Sequence, residues 1–251
     1  MDLPMIGMLA LVVILAGVSK AAFAGSLGLL AMPLLLLVWP PQLALGVMLP
    51  ILMLLDGFAL RSYWQRWSWP LLRQLLPAAM LGVLLASLLL QQLSVSMFQL
   101  LLGITSMLFA LRYFLQQTLL KRKADSLHWL GSRTAGLILG LISGISSTLF
   151  HAGGPPLTMH LSARQLPSTS YIGTATLFFA VLNLLKVPAF VLNEQLSWQQ
   201  LAWALPFTPL CFFAIKLGVW LKQHCPERYF MPLIHLLLLF TGLKLAGQAL
   251  L

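Results

Sequence analysis

Acidic side chains are almost missing from this chain. Asp and Glu number five in 251 residues, against fifteen Lys and Arg, and charged residues of all kinds make up 8%. A soluble domain carries about a quarter. So little charge cannot cover a water-facing surface, and the solvent of this chain is therefore a lipid bilayer. A bound cation would want carboxylates inside the spans, and Asp56 is the one clear candidate. The two cysteines, Cys211 and Cys225, form neither a disulfide framework nor a metal pattern. A Walker loop, a GxSxG elbow, HExxH and CxxC are all missing, so no enzyme, no metal site and no cofactor is indicated. The first residues, MDLPM, lack a basic n-region, and no cleaved signal peptide is expected. The net charge of +10 sits mostly in short loops. There Lys and Arg orient a membrane protein, and nucleic acid is not the expected partner.

Hydrophobic residues fill the rest, at 60%. Apolar runs occupy about 5–38, 43–60, 71–90, 97–116, 134–161, 170–191, 200–220 and 229–250. In hydrocarbon the backbone must satisfy its own hydrogen bonds, so these runs are helices and the fold class is an all-α polytopic membrane protein. Six runs are near the twenty or so residues of one crossing. The first and fifth are too long, and small residues interrupt each: AGSLG at 24–28 and AGGPP at 152–156.

The two interruptions open two similar halves. Gly17 and Gly144 lie 127 apart, and so do Pro40 and Pro167, Gly46 and Gly173, and Asp56 and Asn183. After a slip of two, Ser68-Trp69 matches Ser197-Trp198 and Pro77 matches Pro206. A single domain of 1–251 is expected, with repeat 1 at about 3–117, a basic linker at 118–133 and repeat 2 at 134–251. Loop charges set the orientation. Arg61, Arg66 and Arg73 mark one loop of the first half, whose equivalent near 192–199 has Glu194 and no base. Residues 91–96 are uncharged, whereas their equivalent carries Lys222 and Arg228, and the linker carries Lys121, Arg122, Lys123 and Arg133. Equivalent loops thus face opposite sides, so the repeats are inverted. Inversion needs an odd number of passes per half. Each broken first element therefore counts as two, a hairpin or re-entrant pair followed by three transmembrane helices, and both termini lie outside.

Open backbone at membrane depth is tolerated where it is buried in protein or lines a wet cavity. In inverted-repeat carriers such breaks meet near the midplane, where half-helix N-termini favour anions. The expected substrate site draws on Ser19, Lys20, Gly25, Ser26 and Gly28 from the first break, and on Ser146, Ser147, Thr148, His151, Gly153 and Gly154 from the second. Gly144, Ser147 and His151 share a helix face, and the first half reads Gly17, Lys20, Ala24 on that face. One half supplies a fixed cation and the other a titratable imidazole. His151 and Asp56 are the candidates for proton coupling, and Asn183, Lys186 and Lys216 are further polar groups inside the spans. Ser146, Ser147 and Thr148 have an alternative: bonding back to their own helix. The row Gly136, Gly140, Gly144 packs either within the monomer or at the seam of a homodimer.

The break AFAGSLG followed by WPPQLALG, with a second copy after a basic linker, resembles the sulfite exporter TauE/SafE family of anion permeases. HAGGPP in the second copy resembles a branch of it, and the likeness runs from about residue 7 to 247. Family first motifs are often richer in glycine than AGSLG. The resemblance implies a multi-pass protein of the bacterial inner membrane that exports a small sulfur-containing anion, sulfite or an organosulfonate. It implies that Gly25 to Gly28 and Gly153-Gly154 line the substrate path. Carriers of an amino acid or a metal cation use the same architecture. A membrane-embedded enzyme or assembly factor is a third class, for which Ser147 with His151 is the one available pair.

Overall fold

The structure is a computed structural model that describes residues 2–90, 92–118, 129–224 and 231–250. Lys121, Arg122, Lys123, Cys225 and Arg228, used above for topology or excluded as ligands, lie outside the described residues. Among the described residues there is no strand. Helix α1 (Leu3–Phe23) breaks into a tight turn of 3₁₀ helix (Ser26–Leu30) and the short α2 (Ala31–Leu35). Then come α3 (Pro41–Ser62), α4 (Trp69–Leu90) and α5 (Val95–Thr118). The second half has α6 (Arg133–Phe150), α7 (Gly154–Ala163), α8 (Ser168–Leu192), α9 (Trp198–Ala204), α10 (Thr208–His224) and α11 (Met231–Leu250). Eight stretches are long and apolar enough to cross a membrane, with α9 and α10 forming one of them.

Each broken element goes in and comes back. Trp39 Nε1, just past α2, donates to the carbonyl of Met5 at the start of α1 (3.2 Å). At the end of α7, the backbone of Ala163 lies 3.3 Å from where a Cβ on Gly131 would stand, just before α6. The two hairpins point in opposite directions. Tyr63, closing α3, donates its hydroxyl to Ala21 near the end of α1 (2.6 Å). Gln74, in the first turns of α4, donates to the carbonyl of Arg133, the first residue of α6 (3.1 Å). Because α4 follows α3 directly, α1 runs toward this end of the bundle and α6 runs away from it. The end is basic. Arg164 donates to Gln74 Oε1 (3.2 Å), and Lys222 sits 5.3 Å from the Tyr63 ring centre.

Positions 127 apart do the same work. Pro40 and Pro167 are the extended residues that precede α3 and α8. A Cβ on Gly46 would run into the backbone of Gln195, and one on Gly173 into that of Arg66, each in the loop between the next two spans of the other half. The correspondence slips further along. Gly82 of α4 packs on Gly144 and Ile145, while Gly218 of α10 packs on Val18, which is 127 before Ile145. The offset there is 136 rather than 129. The seven extra residues fall between Trp198 and Gly218, where α9 and the turn Leu205–Phe207 stand in place of the continuous first turns of α4.

The most extensive helix contacts are α4 with α6, α1 with α10, and α5 with α11. The glycine row 136, 140, 144 is consumed in the first of these. Gly140 meets the Leu75 carbonyl, where a Cβ would come within 2.9 Å, and Gly144 lies against the Ala79 backbone. The row therefore packs inside the chain. With no hydrophobic drive between helices in lipid, such close backbone approach is what holds the seam. Gly144→Ala is expected to force the seam apart at a cost of about 1–3 kcal/mol. Gly57→Ala meets nothing within 4 Å and is expected to leave stability unchanged or slightly raised. Thermal unfolding of the two variants in detergent checks this.

Candidate functional site

The two breaks have one construction. Ala24 and His151, 127 apart, are both left-handed, at φ 51 and φ 52. A residue with a Cβ adopts this conformation at a cost of about 1–2 kcal/mol, so the surroundings must hold it. The next residue closes each helix in the same way. Gly25 N–H donates to Ser19 O (3.0 Å) and Ala152 N–H to Ser146 O (3.1 Å). Ser143 then donates its hydroxyl to the Gly153 carbonyl (2.7 Å) and clips the second break shut. A Cβ on Gly153 would stand 2.8 Å from that of Ser147, so only glycine fits there.

A chain of buried polar groups runs between the breaks. Lys20 of α1 forms an ion pair with Asp56 of α3. The other carboxylate oxygen of Asp56 accepts from Asn183 Nδ2 of α8 (2.6 Å). Asn183 Oδ1 accepts from Lys186 (2.9 Å), which also donates to the Ser147 carbonyl of α6 (2.8 Å). Lys186 is wholly buried, and Lys20, Asp56 and Asn183 are each 4% exposed or less. Asp56 and Asn183, the matched pair of the two halves, thus touch each other. The cluster holds two ammonium groups and one carboxylate. Lys20–Asp56 is the one ion pair within 4 Å among the described residues, and the hydrogen bonds of Lys186 go to neutral oxygens. With both amines protonated, Asp56 ionised and His151 neutral, the cluster carries one net positive charge.

A small cavity opens beside this cluster. Its polar wall includes Ser19, Lys20, Ser147, His151 and Asn183, and Gly25, Gly28 and Gly154 bring backbone to its edge. Met48, Leu52 and Phe179 form an apolar wall. Two buried side-chain atoms of its lining residues have no protein partner among the described residues: Ser19 Oγ and His151 Nδ1. The other ring nitrogen, His151 Nε2, faces the Leu45 carbonyl at 3.1 Å. A carbonyl only accepts, so Nε2 carries the hydrogen. In the neutral ring Nδ1 then bears a lone pair.

The expected residues divide into three groups. Ser19, Lys20, Gly25, Gly28, Ser147, His151, Gly154 and Asn183 line the cavity together. Asp56 and Lys186 stand behind it and hold its cationic wall. Ser146 and Thr148 instead bond their own helix, donating to Ile142 (2.8 Å) and Gly144 (2.9 Å), and Lys216 lines a separate cavity on the outside of the bundle. The Ser26 side chain is outside the described residues. The backbone donors are fewer than a bare helix N-terminus would offer. Gly25 and Gly28 N–H are spent on Ser19 O and Gly25 O, and Pro155 and Pro156 have none, which leaves Gly153 and Gly154 for the turn. Leu52 and Phe179 were not expected. They are 127 apart, one helical turn before Asp56 and Asn183, and carrying that offset through α3 and α8 would have found them.

A polytopic helical protein whose broken helices frame a polar cavity has the architecture of a carrier. The chain belongs to the sulfite exporter TauE/SafE family, whose model matches residues 9–245. That family is one of membrane transporters that export sulfur anions such as sulfite. No curated protein and no solved structure matches the chain significantly.

The ion pair can be tested apart from transport. Asp56→Ala leaves Lys20 buried and unpaired, and is expected to cost about 3–5 kcal/mol. Lys20→Met combined with Asp56→Ala is expected to cost less than the sum of Lys20→Met and Asp56→Ala made singly. A double-mutant cycle on unfolding in detergent measures the coupling.

Proposed function

We propose that the chain is a secondary carrier that exports a small sulfur-containing anion, sulfite or an organosulfonate such as sulfoacetate, across the bacterial inner membrane. The observation that carries this reading is the surplus positive charge beside the cavity. Each intramembrane charge costs about 2.5–3.5 kcal/mol on insertion scales, and the bound anion is the missing counter-charge. Lys20 supplies the attraction at the cavity wall. Ser19, Ser147, Asn183 and the N–H groups of Gly153 and Gly154 supply hydrogen bonds. Met48, Leu52 and Phe179 close the cavity on its apolar side. Two inverted copies, 3–117 and 134–251, would rock about this shared centre, with both termini outside. No nucleotide motif is present, so an ion gradient or the anion gradient itself would drive flux.

His151 is the first candidate for proton coupling. It lines the cavity, and its Nδ1 has no protein partner among the described residues and is free to take a proton from an acidic anion or from water. Asp56 is the second, because protonating it would release Lys20. The surplus positive charge disfavours a metal cation as cargo. An amino acid stays open through its carboxylate. A membrane-embedded enzyme is disfavoured because Ser147 and His151 have no third group to orient the ring: His151 Nε2 is spent on a backbone carbonyl.

Sulfite flux in proteoliposomes tests this reading, with and without a pH gradient. The intact protein is expected to carry sulfite or an organosulfonate in response to the gradient. Lys20→Ala removes a charged hydrogen bond worth about 1.5–3 kcal/mol, or roughly tenfold to a hundredfold in affinity. His151→Ala is expected to flatten the gradient dependence. Unchanged flux and pH dependence in both variants would overturn the site. Absence of flux for sulfite and for a panel of organosulfonates would overturn the substrate.

A further inference from the structure

One intramembrane cation takes no part in the central cluster. Lys216 of α10 lies six residues before Lys222, which marks the basic end by its place over Tyr63. At 1.5 Å per residue it sits about 9 Å further from that end. It lines an outward-facing pocket between α3 and α10, together with Arg61, Phe58 and Phe212. Neither Arg61 nor Lys216 has a carboxylate partner among the described residues. The one hydroxyl there, on Ser62, is turned back onto the Phe58 carbonyl (3.1 Å). The Lys216 ammonium stands 5.4 Å from the Phe212 ring centre, and Phe212 lines the same pocket as Arg61.

Lys216 also borders a second, shallower opening on the other side of α10. This one is a groove against α1, lined by Ile14, Leu210, Phe213, Leu217 and Trp220. It runs along the helix from the basic end toward mid-membrane, and Phe213 is 65% exposed along it. A pocket bearing two cations that lack a carboxylate partner among the described residues is thus joined at one lysine to a shallow apolar groove. The other half lacks the cations: Arg61 corresponds to Pro188 at the offset of 127, and Lys216 to Met80 at the offset of 136. The charges therefore go with one leaflet, the leaflet of the basic loops, where anionic headgroups attract Lys and Arg.

We infer that this face binds one anionic phospholipid, its phosphate between Arg61 and Lys216 and an acyl chain in the α1–α10 groove. Trp220 stands at the interfacial end of that groove. The site shares no residue with the central cavity and does not depend on the transport reading. A lysine that only snorkels to water needs neither a second cation beside it nor a furrow leading from it.

The test uses the purified full chain in detergent, with thermal unfolding and native mass spectrometry as readouts. Phosphatidylglycerol is expected to raise the unfolding temperature and to stay bound as a one-to-one adduct, and phosphatidylcholine is not. Arg61→Gln with Lys216→Gln is expected to weaken the lipid effect roughly tenfold, while Lys244→Gln, in α11 and lining neither opening, keeps it. Single Lys216→Gln gives the same reading by mass spectrometry where the double variant is poorly produced. Phe213→Ala is expected to shorten retention of the lipid, and glycerol 1-phosphate, a headgroup without a tail, is expected to have no effect. An equal phosphatidylglycerol effect in the double variant would overturn the site. Equal stabilisation by glycerol 1-phosphate would overturn the lipid in favour of a small-anion site.

Discussion

The Lys20–Asp56 ion pair is the constraint on which the centre of this molecule depends. It joins α1 to α3 within the first half, and through Asn183 it reaches α8 and Lys186 in the second. Lys186 then closes onto the Ser147 carbonyl near the end of α6. Four spans are tied at one level by charges that hydrocarbon cannot accept singly. A buried pair is weak evidence for stability when compared with an apolar replacement. Its stronger consequence is placement: the cationic wall can stand only where the carboxylate and the amide hold it.

The breaks and the seams follow from the same requirement. A cavity at this depth needs helix ends, and each break supplies one through a left-handed residue and a closing bond to a serine carbonyl. Those ends are kept in register by glycine contacts on either side. Gly82 on Gly144 and Gly218 on Val18 bring α4 and α10 close enough to brace the broken helices. The short return pieces α2 and α7 leave the cavity lined partly by backbone and partly by side chains that include Lys20, Ser147 and His151.

Much of this was legible in the residues. The small-residue breaks, the offset of 127 and the loop charges led to two hairpins running in opposite directions, and the match of Asp56 with Asn183 marked the centre. Three things were not legible. Asp56 had several lysines within reach by sequence, and only packing selects Lys20 as its partner. The seven-residue slip before α10 is silent because the turn Leu205–Phe207 is as apolar as the helices around it. The hydroxyls of Ser146 and Thr148 have the same composition whether they face a ligand or their own helix, and the helix carbonyl four residues back is always the nearer acceptor. The prolines of HAGGPP, by contrast, could have been read directly. They start a helix well but remove the N–H groups that would hold an anion, which moves that task to Lys20 and the side chains around it.

The most direct measurement is a structure of the protein solved with selenite in place of sulfite, located by the anomalous signal of selenium. The account predicts one selenium site in the central cavity, within hydrogen-bonding reach of Lys20 and between His151 and Gly154. An empty cavity with selenium bound elsewhere in the bundle would contradict it.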